Sequence, residues 1–257
     1  RYGSSHVNLI ADNTEPETLA ATGYDDDGVS CQKWDIVREG TFVGYCTNRE
    51  VAPRIKEERS RGSNRADSWG SVPMVRIANI GLEPGTETLD GLLADVKRGI
   101  YIEGHGSYSI DQRRYNFQFG GDAFWLVENG RRTQMVRDVI YHGITPEFWG
   151  RCDGVADASH RRRYGFITCG KGQPGQSGWM THAASHARFR RVDVISGQTK
   201  ARRMTSSITS SWPKLTSRQE FEFLADLVMS HSTGDHTFFS LRDSHGGTTR
   251  FANNHII

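Results

Sequence analysis

The stretch TCGKGQPGQ, residues 168–176, places a thiol and an ammonium group among three glycines. Three kinds of chemistry use such a combination: a phosphate cradle, a thiol nucleophile, and a metal ligand on a flexible loop. A phosphate-binding P-loop places Ser or Thr directly after its lysine, where the hydroxyl binds magnesium. Here Gly172 follows Lys171. The sequence therefore excludes a P-loop.

Cys169 leaves several interpretations open. A thiol nucleophile needs a histidine base close in space, and ten histidines make that possible without specifying one. A buried structural cysteine is the ordinary alternative. Twelve residues separate Cys169 from His182 and three more separate His182 from His186, which is the second half of a zinc-finger spacing. No cysteine supplies the first half, so the spacing does not predict a zinc finger. It still allows a local metal site in which both histidines lie on one helix.

Composition narrows the class of protein. The chain has 257 residues, 36% of them hydrophobic, which suffices for one or two domains. A net charge of +2 argues against a nucleic-acid-binding surface, and no apolar run is long enough for a membrane span. Four cysteines at irregular spacing predict free thiols and a cytoplasmic location.

Most of the first 195 residues have the pattern of short antiparallel strands. Glu39 with Gly40, and Asn129 with Gly130, are predicted as hairpin turns because glycine accepts a positive φ. Residues 53–70 are charged and poor in large apolar side chains, so we expect a mobile surface loop. The predicted fold class is α+β, mainly antiparallel sheet with few helices.

One helix is predicted at about residues 86–98. Its apolar positions recur at i, i+3, i+4 and i+7, with Gly99 as a possible cap. These positions are Leu89, Leu92, Leu93 and Val96.

The chain is predicted to change character after residue 195. Residues 196–213 are rich in Ser and Thr and are interpreted as a linker. Residues 214–257 are predicted to form a helix and a hairpin, the helix carrying Phe221 and Leu224 on one face. This tail is too short to bury a core of its own. The absence of an initial methionine suggests that the chain is part of a longer protein.

Six segments carry a resemblance to a known family: GYDDDGV, REGTFVGY, VPMVRIANIGLEPG, ADVKRGIYI, NFQFGGDAFWLVENG and CGKGQPGQ. They occur in the same order in the C-terminal region of the TldD/PmbA family of zinc metallopeptidases, on the TldD side. Residues 1–195 therefore resemble that region. Residues 214–257 resemble the N-terminal start of a PmbA-like partner, as a partial domain.

The resemblance implies a role for the opening stretch. In the family, two histidines of a helical His-Glu-x-x-x-His motif and the cysteine of the Cys-Gly-Lys loop hold the catalytic zinc. Cys169 is thereby assigned as a zinc ligand, and its glycines would let the loop approach the metal. Gly170, Lys171 and His182 become candidate substrate-binding residues.

The sequence also departs from the family pattern. None of its ten histidines is followed by glutamate, so the His-Glu-x-x-x-His helix is absent; in the family it lies upstream of the matched region. No catalytic residue is therefore assigned within this chain, and the general base is expected upstream. Alone, the chain is expected to bind zinc weakly and to be inactive.

Two functions follow from the resemblance. The first is the C-terminal part of a zinc-dependent metallopeptidase that hydrolyses unfolded or small peptides and works as an oligomer with a TldD/PmbA family partner. The alternative is a non-catalytic module for peptide binding or hetero-oligomer assembly.

Other acidic and thiol residues receive simpler predictions. Asp25, Asp26 and Asp27 are predicted to form a solvated turn with Asx-type hydrogen bonds, without metal. Cys31, Cys46 and Cys152 are predicted to be ordinary half-buried thiols.

Overall fold

The computed structural model describes residues 1–104, 106–196 and 219–225, with the backbone alone for Ser196 and 219–225. In chain order the strands are β1 Leu9–Asp12, β2 Lys33–Arg38, β3 Thr41–Phe42, β4 Asn64–Arg65, β5 Met74–Val75, β6 Ile80–Leu82, β7 Arg98–Glu103, β8 Tyr108–Ile110, β9 Asn116–Phe119, β10 Ala123–Glu128, β11 Arg131–Val136, β12 Val139–Ile144, β13 Cys152–Val155, β14 Arg162–Lys171, β15 Gln176–Ala184, β16 Ala187–Ser196 and β17 Gln219–Ala225. The helices are α1 Val51–Arg54, α2 Leu89–Ala94 and α3 Thr145–Gly150, with one 3₁₀ turn at Ala158–His160.

These elements form two compact units. The first contains residues 1–83 and 162–184, and the second contains 84–161 and 185–228 as far as they are described. Nearly all strand pairs are antiparallel, and the three helices are short. The prediction of mainly antiparallel sheet with few helices is confirmed.

The first unit is built on a six-stranded sheet in the order β14-β15-β6-β1-β2-β3. All its pairs are antiparallel except β15 with β6. Apolar side chains on alternate positions of its inner strands are fully buried. The largest are Leu9, Ile36, Ile80, Leu82 and Met180.

Both predicted hairpin turns are present. Glu39 and Gly40 join β2 to β3 with φ of 47° and 71°, and Asn129 and Gly130 join β10 to β11 with φ of 49° and 78°. Two consecutive residues at positive φ are the signature of the tight turn that matches strand twist. At Gly40 a side chain is excluded sterically as well, since a Cβ would lie 2.2 Å from the carbonyl oxygen of Gly3.

Residues 53–70 do not form the mobile loop that was predicted. Ser60, Ser63 and Asn64 are buried there, and β4 runs through the segment. The prediction was wrong because it counted apolar side chains only. Polar side chains can be buried when each finds a hydrogen-bond partner, as Ser60 does by donating to the Thr47 carbonyl at 3.0 Å.

The second unit contains a sheet in the order β11-β10-β7-β17-β16-β12-β9-β8, with β13 also paired to β16. The predicted leucine stripe packs on it: Leu92, Leu93 and Val96 are buried in one cluster with Tyr101. Helix α2 is shorter than predicted. Its N-cap is Thr88, whose side chain accepts the N–H of Gly91, and the next strand begins at Arg98, so Gly99 lies within β7 and is not a cap.

Helix α3 covers another part of this sheet through aromatic side chains. Phe148 stacks on Phe189 with ring centroids 4.1 Å apart and meets Phe117 edge-to-face at 5.1 Å. Trp149 completes the contact and is fully buried. Aromatic pairs in these geometries add to the free energy gained from burial alone.

The helix predicted within the tail is wrong for residues 219–225. These form β17, which pairs with β16 and β7. The stretch EFEF alternates acidic and apolar residues with period two, and an extended segment supplies hydrogen bonds to two neighbouring strands at once. The predicted hairpin and the linker beyond Ser196 lie outside the described residues, and the division at residues 195 and 213 stays a prediction.

Among the described residues, no helix has the length and apolar character needed to cross a membrane.

Candidate functional site

Cys169 lies on a strand and not on a loop. It is buried near the end of β14, directly opposite Gly178 of β15. Gly170 and Lys171 continue the same strand, opposite Ser177 and Gln176. The expectation of a glycine-rich loop is corrected here, because the hairpin ladder extends past the Cys-Gly-Lys residues and only residues 172–175 form the turn.

The turn itself explains one glycine of the motif. Gly172 has a φ of 92°, and a Cβ at this position would lie 2.8 Å from the Met74 side chain. This backbone region favours glycine over any other residue. Gly172 is therefore explained by the turn.

Lys171 is bound to the main chain of a neighbouring segment. Its Nζ donates a hydrogen bond to the Val75 carbonyl oxygen at 2.7 Å. This contact ties the end of β14 to β5. The assignment of Gly170 and Lys171 to substrate binding stays a prediction.

His182 lies in the interior of the first unit, on β15. It is completely buried, its Nδ1 lies 3.0 Å from the Ile80 carbonyl oxygen, and its ring packs against Phe166 at a centroid distance of 5.3 Å. It lies four residue steps along the extended strand from Gly178, a distance of about 13 Å. The structure therefore does not bring His182 next to Cys169, and its role in substrate binding stays a prediction.

The alternative of a local site with two histidines on one helix is excluded. His182 belongs to β15, and the chain continues into β16 at Ala187. No helix is formed between the two strands, so the i, i+4 spacing does not place His182 and His186 on a shared helical face.

Arg76 is the residue that contacts the Cys169 backbone, and the sequence did not indicate it. Its Nη2 donates to the Cys169 carbonyl oxygen at 2.5 Å, and its Nη1 lies 3.5 Å from the Gln176 carbonyl oxygen. Only 3% of Arg76 is exposed. Its guanidinium fills the space beside Gly178, where a Cβ would come within 2.3 Å of Nη2.

Arg65 makes a second set of contacts in the same part of the unit. Its Nη1 donates to the Trp179 carbonyl oxygen at 3.0 Å and its Nη2 to that of Ile77 at 2.7 Å. Burial lowers the pKa of Arg65 and the charge of Arg76 lowers it further, whereas nearby thiols that include Cys169 act in the opposite direction.

The acidic turn fixes the strand that carries Arg65. Asp25 accepts the backbone N–H of Asn64 at 3.0 Å and Asp26 accepts that of Ala66 at 2.6 Å. Asp25 also accepts amides of its own turn, so the predicted Asx-type bonding is confirmed. The turn is not simply solvated, since Asp25 is buried and since Asp25 and Asp26 each hold one neighbour of Arg65.

Cys31 and Cys46 lie near Arg65, as Cys169 does, whereas Cys152 belongs to the second unit. All four cysteines are free. Cys31 is half-buried as predicted, but the prediction is wrong for Cys46 and Cys152, which are buried. Burial raises the pKa of the Cys46 thiol, and hydrogen bonds to Ala78 and Ser63 oppose that rise.

A thiol in a protein can supply one of the soft ligands that zinc prefers, and Cys169 fits that requirement. Across residues 1–104 and 106–196, no three His, Cys, Asp or Glu side chains are grouped so that they could hold a metal ion. A zinc site that uses Cys169 would therefore need ligands from outside the described residues.

Residues 1–196 match the family described as PmbA/TldA metallopeptidase C-terminal domain, and the chain belongs to this family. It is 33% identical over 155 residues to the metalloprotease MJ0996 of Methanocaldococcus jannaschii, a match that covers 60% of this chain and 34% of that protein. It is 25% identical to a zinc metalloprotease TldD homolog of Saccharolobus solfataricus, covering 48% and 27% respectively.

A solved structure shares the fold. TldE from Thermococcus kodakarensis superimposes with a TM-score of 0.63 at 20% identity, over 76% of this chain and 41% of that one. The chain thus spans about a third of the length of the curated relatives named above.

Proposed function

We propose that this chain is the C-terminal part of a zinc-dependent metallopeptidase and that Cys169 is one of its metal ligands. One observation carries the proposal. Cys169 is a buried thiol on a strand, and Arg76 binds the carbonyl oxygen of this residue. The relative from Saccharolobus solfataricus, which is named a zinc metalloprotease, supports the choice of metal. A thiolate is a ligand that zinc prefers, and a rigid strand holds it in one place.

Two further ligands are proposed to be histidines of a His-Glu-x-x-x-His helix in the parent protein, outside this chain. Three protein ligands leave the fourth position of a tetrahedral site for water. A zinc ion held there would lower the pKa of its water ligand and polarise the peptide carbonyl. The glutamate of that helix is the proposed general base, so this chain alone is proposed to be inactive.

The proposed substrates are unfolded or small peptides. Strand β14 lies at an edge of the six-stranded sheet as described, and Ile167 on it is 62% exposed. An extended peptide can add to such an edge through main-chain hydrogen bonds, which accept many sequences. Because Cys169 is on the same strand, a peptide bound there would lie beside the proposed ligand.

A TldD/PmbA family protein is proposed as the oligomeric partner, and residues 214–257 are proposed as the start of a PmbA-like segment. The cytoplasm is the proposed location, because free thiols persist in a reducing compartment.

The parent protein with Cys169→Ser tests this function. Zinc content and peptide cleavage are expected to fall together, because a neutral hydroxyl is a much poorer zinc ligand than a thiolate. Cys152→Ser is the matched control, since that thiol is also buried but lies in the second unit. It is expected to keep both properties.

Other outcomes separate the alternatives. Full zinc occupancy with lost cleavage in Cys169→Ser would reject the ligand assignment and favour a thiol nucleophile. Unchanged zinc content and unchanged cleavage would reject any role of Cys169 in the chemistry. A parent protein that binds no zinc and cleaves nothing would favour the non-catalytic module.

A further inference from the structure

Strand β14 contains an irregularity directly before Cys169. Phe166 lies opposite Met180 and Cys169 lies opposite Gly178, so three steps on β14 match two steps on β15. One residue is therefore inserted between these pairs, and Ile167 and Thr168 are both exposed. Such a β-bulge changes the face of the sheet toward which the following side chains point.

The bulge decides where the Cys169 side chain points. In a regular strand, residues three apart lie on opposite faces, so Cys169 would face away from Phe166. With the extra residue, Cys169 lies on the same face of the sheet as Phe166. Their cross-strand partners, Gly178 and Met180, lie on that face as well. If the bulge moved one step toward the turn, Thr168 would pair with Gly178 and the thiol would lie on the other face.

Arg76 contacts the backbone at the point where the bulge ends. Its guanidinium donates to the carbonyl oxygen of Cys169 on β14 and reaches that of Gln176 on β15. Arg65 adds a hydrogen bond to the Trp179 carbonyl oxygen, next to Gly178. A planar group with several N–H donors can hold two carbonyls of two strands at once, which a lysine ammonium on a flexible stem does less well.

Gly178 provides the space that the Arg76 guanidinium occupies. A Cβ there would lie 2.3 Å from Nη2 and 2.6 Å from Nε of Arg76, so the guanidinium occupies the space of the missing side chain. This Nε has no hydrogen-bond partner among the residues that the structure describes. The fit against the glycine backbone, and not a further hydrogen bond, sets the position of this part of the group.

We propose that Arg76 is a positioning residue for the metal: it locks the β14 bulge in the register that turns the Cys169 thiol toward the metal. The inference rests on the proposed function, since it presumes that Cys169 is a ligand. Without the Arg76 contacts, the bulge could shift along β14. The thiol would then point away from the metal in part of the molecules. Outer contacts that orient a ligand typically change metal affinity by about 10- to 100-fold.

The test uses the intact parent protein loaded with Co²⁺ in place of zinc. The absorption band that arises from charge transfer between a thiolate and Co²⁺ reports directly on the cysteine–metal contact. In Arg76→Gln and in Gly178→Ala, we expect a weaker band per bound metal and a Co²⁺ affinity lowered by about 10- to 100-fold. For Arg76→Lys, we expect a band intensity and a Co²⁺ affinity between those of Arg76→Gln and those of the native protein. Arg61→Gln is the control, because the Arg61 guanidinium binds Glu57 and donates no hydrogen bond to β14 among the described residues.

The outcomes test the role of Arg76 separately from the role of Cys169 as a metal ligand. If Cys169→Ser keeps the native band, Cys169 is not a ligand and the proposed function fails. If Cys169→Ser loses the band while Arg76→Gln and Gly178→Ala keep it in full, the positioning role fails alone. Circular dichroism and melting curves show whether each variant is folded, and if Arg76→Gln does not fold, Gly178→Ala and Arg76→Lys decide the question.

Discussion

Each unit contains a pair of arginines, one buried and one partly buried, and the two pairs are bound in opposite ways. In the second unit, Arg188 donates to Asp153 at 2.9 Å and Arg190 donates to Asp95 at 2.8 Å, and each arginine also reaches the other carboxylate. In the first unit, Arg65 and Arg76 donate to main-chain carbonyl oxygens. Among the described residues, no carboxylate forms an ion pair with either.

The difference indicates two functions for a buried guanidinium group. A carboxylate compensates the charge, so the pair in the second unit holds side chains together and stabilises the fold. Carbonyl oxygens compensate the charge only in part, but they fix the backbone that carries them. The first arrangement is suited to stability and the second to the placement of a neighbouring residue.

The largest expected effect on stability is that of Arg188→Ala. Arg188 is buried and also donates to the Leu92 carbonyl oxygen at 2.7 Å, so its removal leaves Asp95 and Asp153 with Arg190 alone and takes the donor from the end of a helix. We expect the free energy of unfolding to fall by about 3 kcal/mol. Urea denaturation of the chain measures this loss.

Urea denaturation of Arg76→Gln is expected to show a smaller loss of stability than that of Arg188→Ala. It leaves only carbonyl oxygens without donors, for an expected cost of about 1 to 2 kcal/mol. An equal or larger loss of stability in Arg76→Gln would contradict the distinction between the two pairs.

The second prediction concerns pH. Burial opposes ionisation of Asp153, but Arg188 and Arg190 outweigh it and lower the pKa of this carboxyl group. A carboxylate with a lowered folded-state pKa stabilises the protein above its unfolded pKa of about 3.9, and this contribution is lost as the pH falls through the folded-state value.

Asp153→Asn isolates that contribution. At pH 7 the variant should be less stable than the native chain by about 1 to 2 kcal/mol, and the difference should shrink steadily below about pH 4. Denaturation curves between pH 7 and pH 2.5 measure it. A difference that stays constant over that range would show that Asp153 does not titrate with the network.

The smallest predicted effect is that of Thr88→Ala. Loss of the N-cap of α2 should lower the free energy of unfolding by about 1 kcal/mol. Because Arg188 binds the Leu92 carbonyl of the same helix, the double variant with Arg188→Ala should lose less than the sum of the single losses. Strict additivity would show that the helix and the arginine pair act independently.

Local patterns in the sequence predicted the elements that local physics determines. The turns at Gly40 and Gly130 follow from positive φ, and the buried face of α2 follows from the spacing of Leu92, Leu93 and Val96. Mainly antiparallel sheet follows from short alternating segments.

The site depends on contacts between distant residues, which such patterns do not contain. Arg65 and Arg76 reach β14 and β15 from about 100 positions away in the chain. Arg65 lies in a segment with few apolar residues, and its burial depends on main-chain bonds made by Asp25 and Asp26. The β14 bulge is likewise visible only once the strand register is known.

The contact between Arg76 and Gly178 has an evolutionary consequence. Because one residue fills the volume that the other leaves vacant, the two positions are expected to show strong epistasis. Any larger side chain at 178 would be deleterious while Arg76 remains, and nearly neutral for packing once a small residue stands at 76. In descendants of this sequence, the two codons should therefore change together or not at all, although 101 positions separate them.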